Sequence, residues 1–176
     1  VRITTHLVDT ATGADVWSER YDRSGEDIFA VESDVTAKIA NSLASRAGAF
    51  RRSQLKLAQH KPPNSLTAYD TYLMADAVAL TPVGGVTKGG LLEGEKLFQK
   101  AIELDPQMSR AYVGLAYVYY LMGGKGFADF HESHAKMIEA AQKAVELDPN
   151  NNMAHAALGQ ALITRGEGAQ ALAEFN

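Results

Sequence analysis

The 176-residue chain contains no cysteine, only five prolines, and no surplus of basic charge. The absence of Cys excludes disulfides, thiolate metal sites and cysteine nucleophiles together. It leaves the compartment open, and the reading here is cytoplasmic with periplasmic as the alternative. Lys and Arg number 17 against 21 Asp and Glu, a net charge of -4. That charge is unevenly spread, since residues 1–60 balance at eight against eight and residues 61–176 hold nine against thirteen. An acidic second half lacks the basic face that phosphate neutralisation needs, which argues against nucleic acid as its partner. No apolar run approaches the roughly 18–20 residues of a bilayer span. Val1 to Leu7 alternates like a strand, carries no initiator Met and is not a signal peptide. With Ala171–Asn176 reading as a helix cut short, the chain is expected to be a piece of a longer protein.

What is present is 46% hydrophobic residues, enough for a sizeable core. Val1, Ile3, Thr5 and Leu7 alternate with polar residues, and Val16–Tyr21 follows the turn residues Asp9–Gly13, which predicts a β-hairpin. A lone hairpin is marginal in water and needs a cover. The next segment supplies one, because Ile28, Val31, Val35, Ile39 and Leu43 step by three or four along one helix face. Ser24 or Asp27 is the expected cap, and helix is expected to resume past Gly48 to about Gln59. His60-Lys61-Pro62-Pro63-Asn64-Ser65 excludes helix and marks a boundary, giving domains 1–60 and 61–176. Asn64 or Ser65 is the expected cap of a helix from about Leu66 to Leu80.

Beyond the boundary the chain repeats itself. Ala101-Ile102-Glu103-Leu104-Asp105-Pro106 is echoed by Ala144-Val145-Glu146-Leu147-Asp148-Pro149. Leu91–Leu104 is the expected partner of the first helix. A second pair is expected over about Ser109–Met122 and His131–Leu147, with Gly123–Gly126 between. A third begins near Asn152 and turns at Gly166. Such a unit cannot bury its own apolar face and needs a stacked neighbour. Asp105 and Asp148 stand 43 residues apart, more than the usual period of about 34 for a helix-turn-helix repeat. The surplus is assigned to the glycine-bearing loop at 123–131, where insertion costs little.

Candidate chemistry is sparse. His131 and His134 sit one turn apart with Asp129 nearby, a pattern that can ligate zinc but is common on solvated helix starts. Gly84–Gly90 and Gly123–Gly126 lack the phosphate-loop order and follow no strand, so they read as connections. There is no Gly-x-Ser-x-Gly elbow, and carboxylate pairs such as Glu93/Glu95 suit solvated faces. No catalytic residue, metal site or cofactor is assigned.

Residues 107–176 resemble the tetratricopeptide repeat, with Leu158-Gly159, Leu162, Gly166, Ala171 and Phe175 at the family's spacings. Residues 94–106 and 137–149 resemble its second-helix ending. Leu7-Val8-Asp9, Ala11-Thr12-Gly13, Val16–Asp22 and Asp27-Ile28-Phe29 resemble the closing part of a TolB-like amino-terminal domain. Together they resemble the carboxy-terminal half of bacterial signalling proteins, many headed by a class III adenylate/guanylate cyclase domain and others by a winged-helix DNA-binding domain. The resemblance implies a fold that is α+β and mostly α, a hairpin plus helix followed by a helical array. It implies a non-catalytic protein-interaction segment, the tail of a cyclase, with the tail of a DNA-binding regulator or a small-molecule module as alternatives.

It also implies a groove for a protein or peptide partner, lined by the first helix of each pair. Arg110, Val113, Tyr117 and Tyr120 would come from the second pair, and Met153, Ala156, Gln160 and Ile163 from the third. These include residue types enriched in interface cores. The competing reading is that Tyr117 or Tyr120 packs between repeats. The unpaired edges of the hairpin predict a homodimer through residues 1–22.

Overall fold

The computed structural model describes residues 2–8, 10, 13–22, 28–44, 48–62, 65–80 and 84–174. The chain is mostly helical with one two-stranded antiparallel sheet, and it divides into two compact units, Val1–His60 and Lys61–Asn176.

In the first unit β1 (Arg2–Val8) pairs with β2 (Asp15–Asp22), from Arg2 opposite Asp22 to Leu7 opposite Trp17, with an irregularity between Leu7 and Val8. Helices α1 (Ile28–Ala44) and α2 (Ala49–His60) follow. The alternation in β1 and the three-four stepping in α1 meet as predicted. Tyr21 and Val35 are buried against each other, with Ile3 and Ile39 packed on them. The Lys38 ammonium lies 5.1 Å from the Tyr21 ring centroid, where the π-face favours a cation. Leu43, placed on the same stripe, is instead exposed. The candidate caps Ser24 and Asp27, most of the predicted turn (Asp9, Ala11, Thr12), and the side chains of Ile28 and Val31 lie outside the described residues.

The second unit holds α3 (Ala68–Ala79), α4 (Lys88–Leu104), α5 (Ser109–Gly124), α6 (Phe130–Leu147), α7 (Asn152–Arg165) and α8 (Gly168–Glu174). Each consecutive pair packs together, and the first helices α3, α5 and α7 also touch in series. Close approach depends on small residues. A Cβ at Gly114 would stand 2.3 Å from the buried Phe98 ring, and one at Gly94 the same distance from the Ala79 Cβ. Phe98, Leu91, Ala101, Ala116, Val118, Ala141, Ala144 and Ala157 are fully shielded. The Asp-Pro endings behave as read, with α4 and α6 stopping at Leu104 and Leu147. Gly166 closes α7 in the left-handed region at φ 85°, a conformation that suits glycine.

Two local expectations change. The cap of α3 is Thr67, whose hydroxyl accepts from the Asp70 N–H while Asp70 accepts from the Thr67 N–H, a capping box. Ser65 instead donates to the Pro62 carbonyl, and Asn64 lies outside the described residues. Helix α5 runs through Gly123 and Gly124 and α6 starts at Phe130, so the connection is residues 125–129 instead of the expected 123–130. It turns at Gly126, with φ 69°. Asp129 then caps α6, accepting from the Glu132 N–H at 2.8 Å.

Candidate functional site

The eight groove residues fall into different environments, with Ala156 half-buried. Val113 is buried, packed with Ala144 and Ala154 where α5 meets α6 and α7. The groove assignment of Val113 is therefore corrected, because its side chain is consumed by contact between repeats. Tyr117 packs on the same cluster and is half-buried, so its ring belongs largely to that junction. Arg110 and Tyr120 on α5 and Met153 on α7 are exposed, and Gln160 on α7 is half-buried. Ile163 is also exposed. Tyr120, Phe130, His134 and Thr164 border a crevice of about 30 Å³ where the ends of α5, α6 and α7 meet. Exposed large side chains thus occur on the first helices α5 and α7, which lie side by side, and also on the second helices, at Leu92, Leu104, Phe130 and Leu172.

His134 is committed elsewhere. Its Nε2 donates to the Ala161 carbonyl at 2.9 Å, and its ring stacks on Phe130 with centroids 5.8 Å apart. This ties α6 to α7, and among the described residues no three metal-ligating side chains converge. Gly84 and Gly85 take positive φ in the turn before α4, while Thr87 caps that helix by accepting from the Gly90 N–H.

A larger feature lies between α5 and α6. It is a cleft of about 640 Å³, walled by Tyr112, Leu115 and Tyr119 on one side and by Lys136, Glu139 and Lys143 on the other. Tyr119 donates its hydroxyl to Glu95 of α4 at 3.0 Å. Burial, followed by the Glu95 charge and hydrogen bond, pushes its phenol up to about 12. The Lys136 ammonium lies 5.8 Å from the Tyr119 ring centroid and pairs with Glu132 at 2.7 Å. Lys143 pairs with Glu146 at 2.9 Å. Sequence reasoning did not single out this cleft. The available signal was the stripe Lys136, Glu139, Lys143, Glu146, spaced by three and four along one face of α6.

No helix among the described residues is long and apolar enough to cross a membrane. No family model matches the chain. A putative adenylate cyclase of Rhizobium meliloti (strain 1021), "Putative adenylate cyclase 3", is 30% identical over 118 residues. The match takes in 67% of this chain and 19% of the relative, so the chain spans about a fifth of the length of the curated relative it matches. Among solved structures, a crystal structure of MamA, a tetratricopeptide-repeat protein, superimposes with a TM-score of 0.51 at 20% identity. It covers 86% of this chain and 92% of the MamA chain. A second MamA structure gives 0.50 at 20% identity over 83% of this chain and 81% of that one. The helical unit therefore has the tetratricopeptide-repeat fold, in a chain that resembles a segment of an adenylate-cyclase-like protein.

Proposed function

We propose that this chain is a non-catalytic protein-interaction segment of a bacterial signalling protein, the tail of an adenylate/guanylate cyclase. Its first unit is read as the closing part of a TolB-like domain and its second as the tetratricopeptide array that holds the partner. The observation that carries the reading is the exposure of Arg110, Tyr120, Met153 and Ile163 on α5 and α7, first helices that pack side by side. Aromatic, Met and Arg side chains left in water on adjacent helices are the composition of an interface core. The similarity to the cyclase-named relative supports the signalling context. A cytoplasmic location follows from that context, since a cyclase acts on nucleotide triphosphates.

The test is site-specific photo-crosslinking in cells, with the probe at Tyr120 or Met153 of the full-length protein. A discrete protein adduct at both positions, lost when Arg110 and Ile163 are replaced by Ala with helicity retained, supports the reading. Absence of any protein adduct at either position overturns it. Among the described residues the two-stranded sheet also leaves each strand with one unpaired edge, which supports homodimerisation by strand pairing. A sedimentation coefficient independent of concentration would rule that out.

A further inference from the structure

The cleft between α5 and α6 plays no part in the reading above, which uses a different face of α5. Its charges are mostly committed. Lys136 is held by Glu132 and Lys143 by Glu146, each within α6. Glu95 accepts the Tyr119 hydroxyl. Among the described residues, Glu139 is the cleft charge left without an ion pair or hydrogen bond, and it is exposed. The charged lining balances, Lys136 and Lys143 against Glu139 and Glu146, and with both lysines paired within α6 the charge left uncommitted is the negative one of Glu139. Burial first, then Glu95 and to a smaller extent Glu139, push the Tyr119 phenol up. One aromatic face is already used by a cation, Lys136 over Tyr119. The half-buried Tyr112 ring lines the same cleft as the uncommitted Glu139.

We infer that the α5/α6 cleft is a docking site for a cationic side chain, an arginine or lysine presented by a basic peptide, stacking on Tyr112 and pairing with Glu139. Charge complementarity selects this occupant. An acidic segment would meet Glu139 and Glu146, and an apolar one would strip water from two ion pairs without replacing their hydrogen bonds. A guanidinium gains both a π-face and a carboxylate partner.

The probe is a blocked Ala-Arg-Ala-Arg-Ala peptide titrated into the isotope-labelled 176-residue chain, followed by NMR at low salt. Shift changes are expected at Tyr112, Tyr119 and Glu139, with weaker binding as salt is raised. The exposed Glu139→Gln variant is expected to raise Kd by about fivefold, the scale of one partly exposed charge pair. The Arg110→Ala/Tyr120→Ala variant should leave this binding unchanged, which separates it from the first-helix face. No shift in the cleft, equal shifts from the glutamate counterpart peptide, or an unaltered Kd in Glu139→Gln would overturn the inference.

Discussion

Asn151 donates its side-chain amide to the Ser109 hydroxyl at 2.9 Å, joining the cap of α7 to the first residue of α5. Ser109, itself buried, donates its hydroxyl to the Ala144 carbonyl at 2.8 Å near the end of α6. The Asn151 carbonyl oxygen meanwhile accepts from the N–H groups of Met153 and Ala154. One side chain therefore caps a helix and locks two repeats. Asn151→Ala is expected to lower stability by about 1–2 kcal/mol, a lost cap plus an orphaned partner. Ser109→Ala should cost less, and the two together less than their sum, as read by urea unfolding of the helical signal.

Gly114 faces the ring of the fully buried Phe98. Gly114→Ala is expected to cost about 2 kcal/mol or more through overpacking. Adding Phe98→Leu should recover part of that loss. Gly124→Ala is the control, since a Cβ there meets nothing within 4 Å. In the last turn of α5 it should be neutral or stabilising by up to about 1 kcal/mol.

His155 presents both ring nitrogens to acceptors, Nδ1 to Glu174 at 2.7 Å and Nε2 to the Pro149 carbonyl at 2.9 Å. Only the imidazolium can donate from both. The Pro149 carbonyl first, and Glu174 second, hold its pKa above the usual histidine value. A raised folded pKa gives stability that is complete below the unfolded value of about 6.5 and is lost as pH climbs through the raised one. Amide exchange in α8 should accelerate over that window, and His155→Gln should flatten the dependence. Equal pH profiles for the two proteins would sink this account.

Asp70 carries the cap of α3 and an ion pair with Lys61, whose ammonium reaches both carboxylate oxygens at 2.9 and 2.7 Å. Burial alone would raise its pKa. The Lys61 hydrogen bond and the two from Thr67 outweigh it and hold the carboxyl below its ordinary value. Its contribution is present above the unfolded pKa and lost as pH falls through the lowered one. Asp70→Asn should cost about 1–2 kcal/mol at neutral pH and little at strongly acidic pH, by thermal melts at both.

Much of the fold was legible because local chemistry and packing agreed. The hairpin followed from strict alternation, α1 from its three-four stripe, and the ends of α4 and α6 from Asp-Pro, which cannot continue a helix. Gly166 marked its turn because a left-handed residue is needed there. Thr67 was missed because Ser65 and Asn64 are equally good caps in sequence, and only the reciprocal bond to Asp70 selects among them. The extension of α5 through two glycines was missed because tertiary contact overrode their low propensity: a Cβ at Gly123 would stand 3.1 Å from the Ser133 Cβ, on the facing helix α6.

By itself the sequence determined that this chain repeats a helix-pair unit, where those units end, and that a hairpin precedes them. Only the tertiary structure decided which side of each helix is spent. From Ala111 to Met122, α5 is apolar or aromatic around its whole circumference, so its period names no preferred face. Packing by α4, α6 and α7 consumed Val113 and most of Tyr117, left Tyr120 in water, and turned Tyr119 toward Glu95, 24 residues earlier in the chain. A face is defined by its neighbours, and those neighbours are set by long-range contacts that no local pattern encodes.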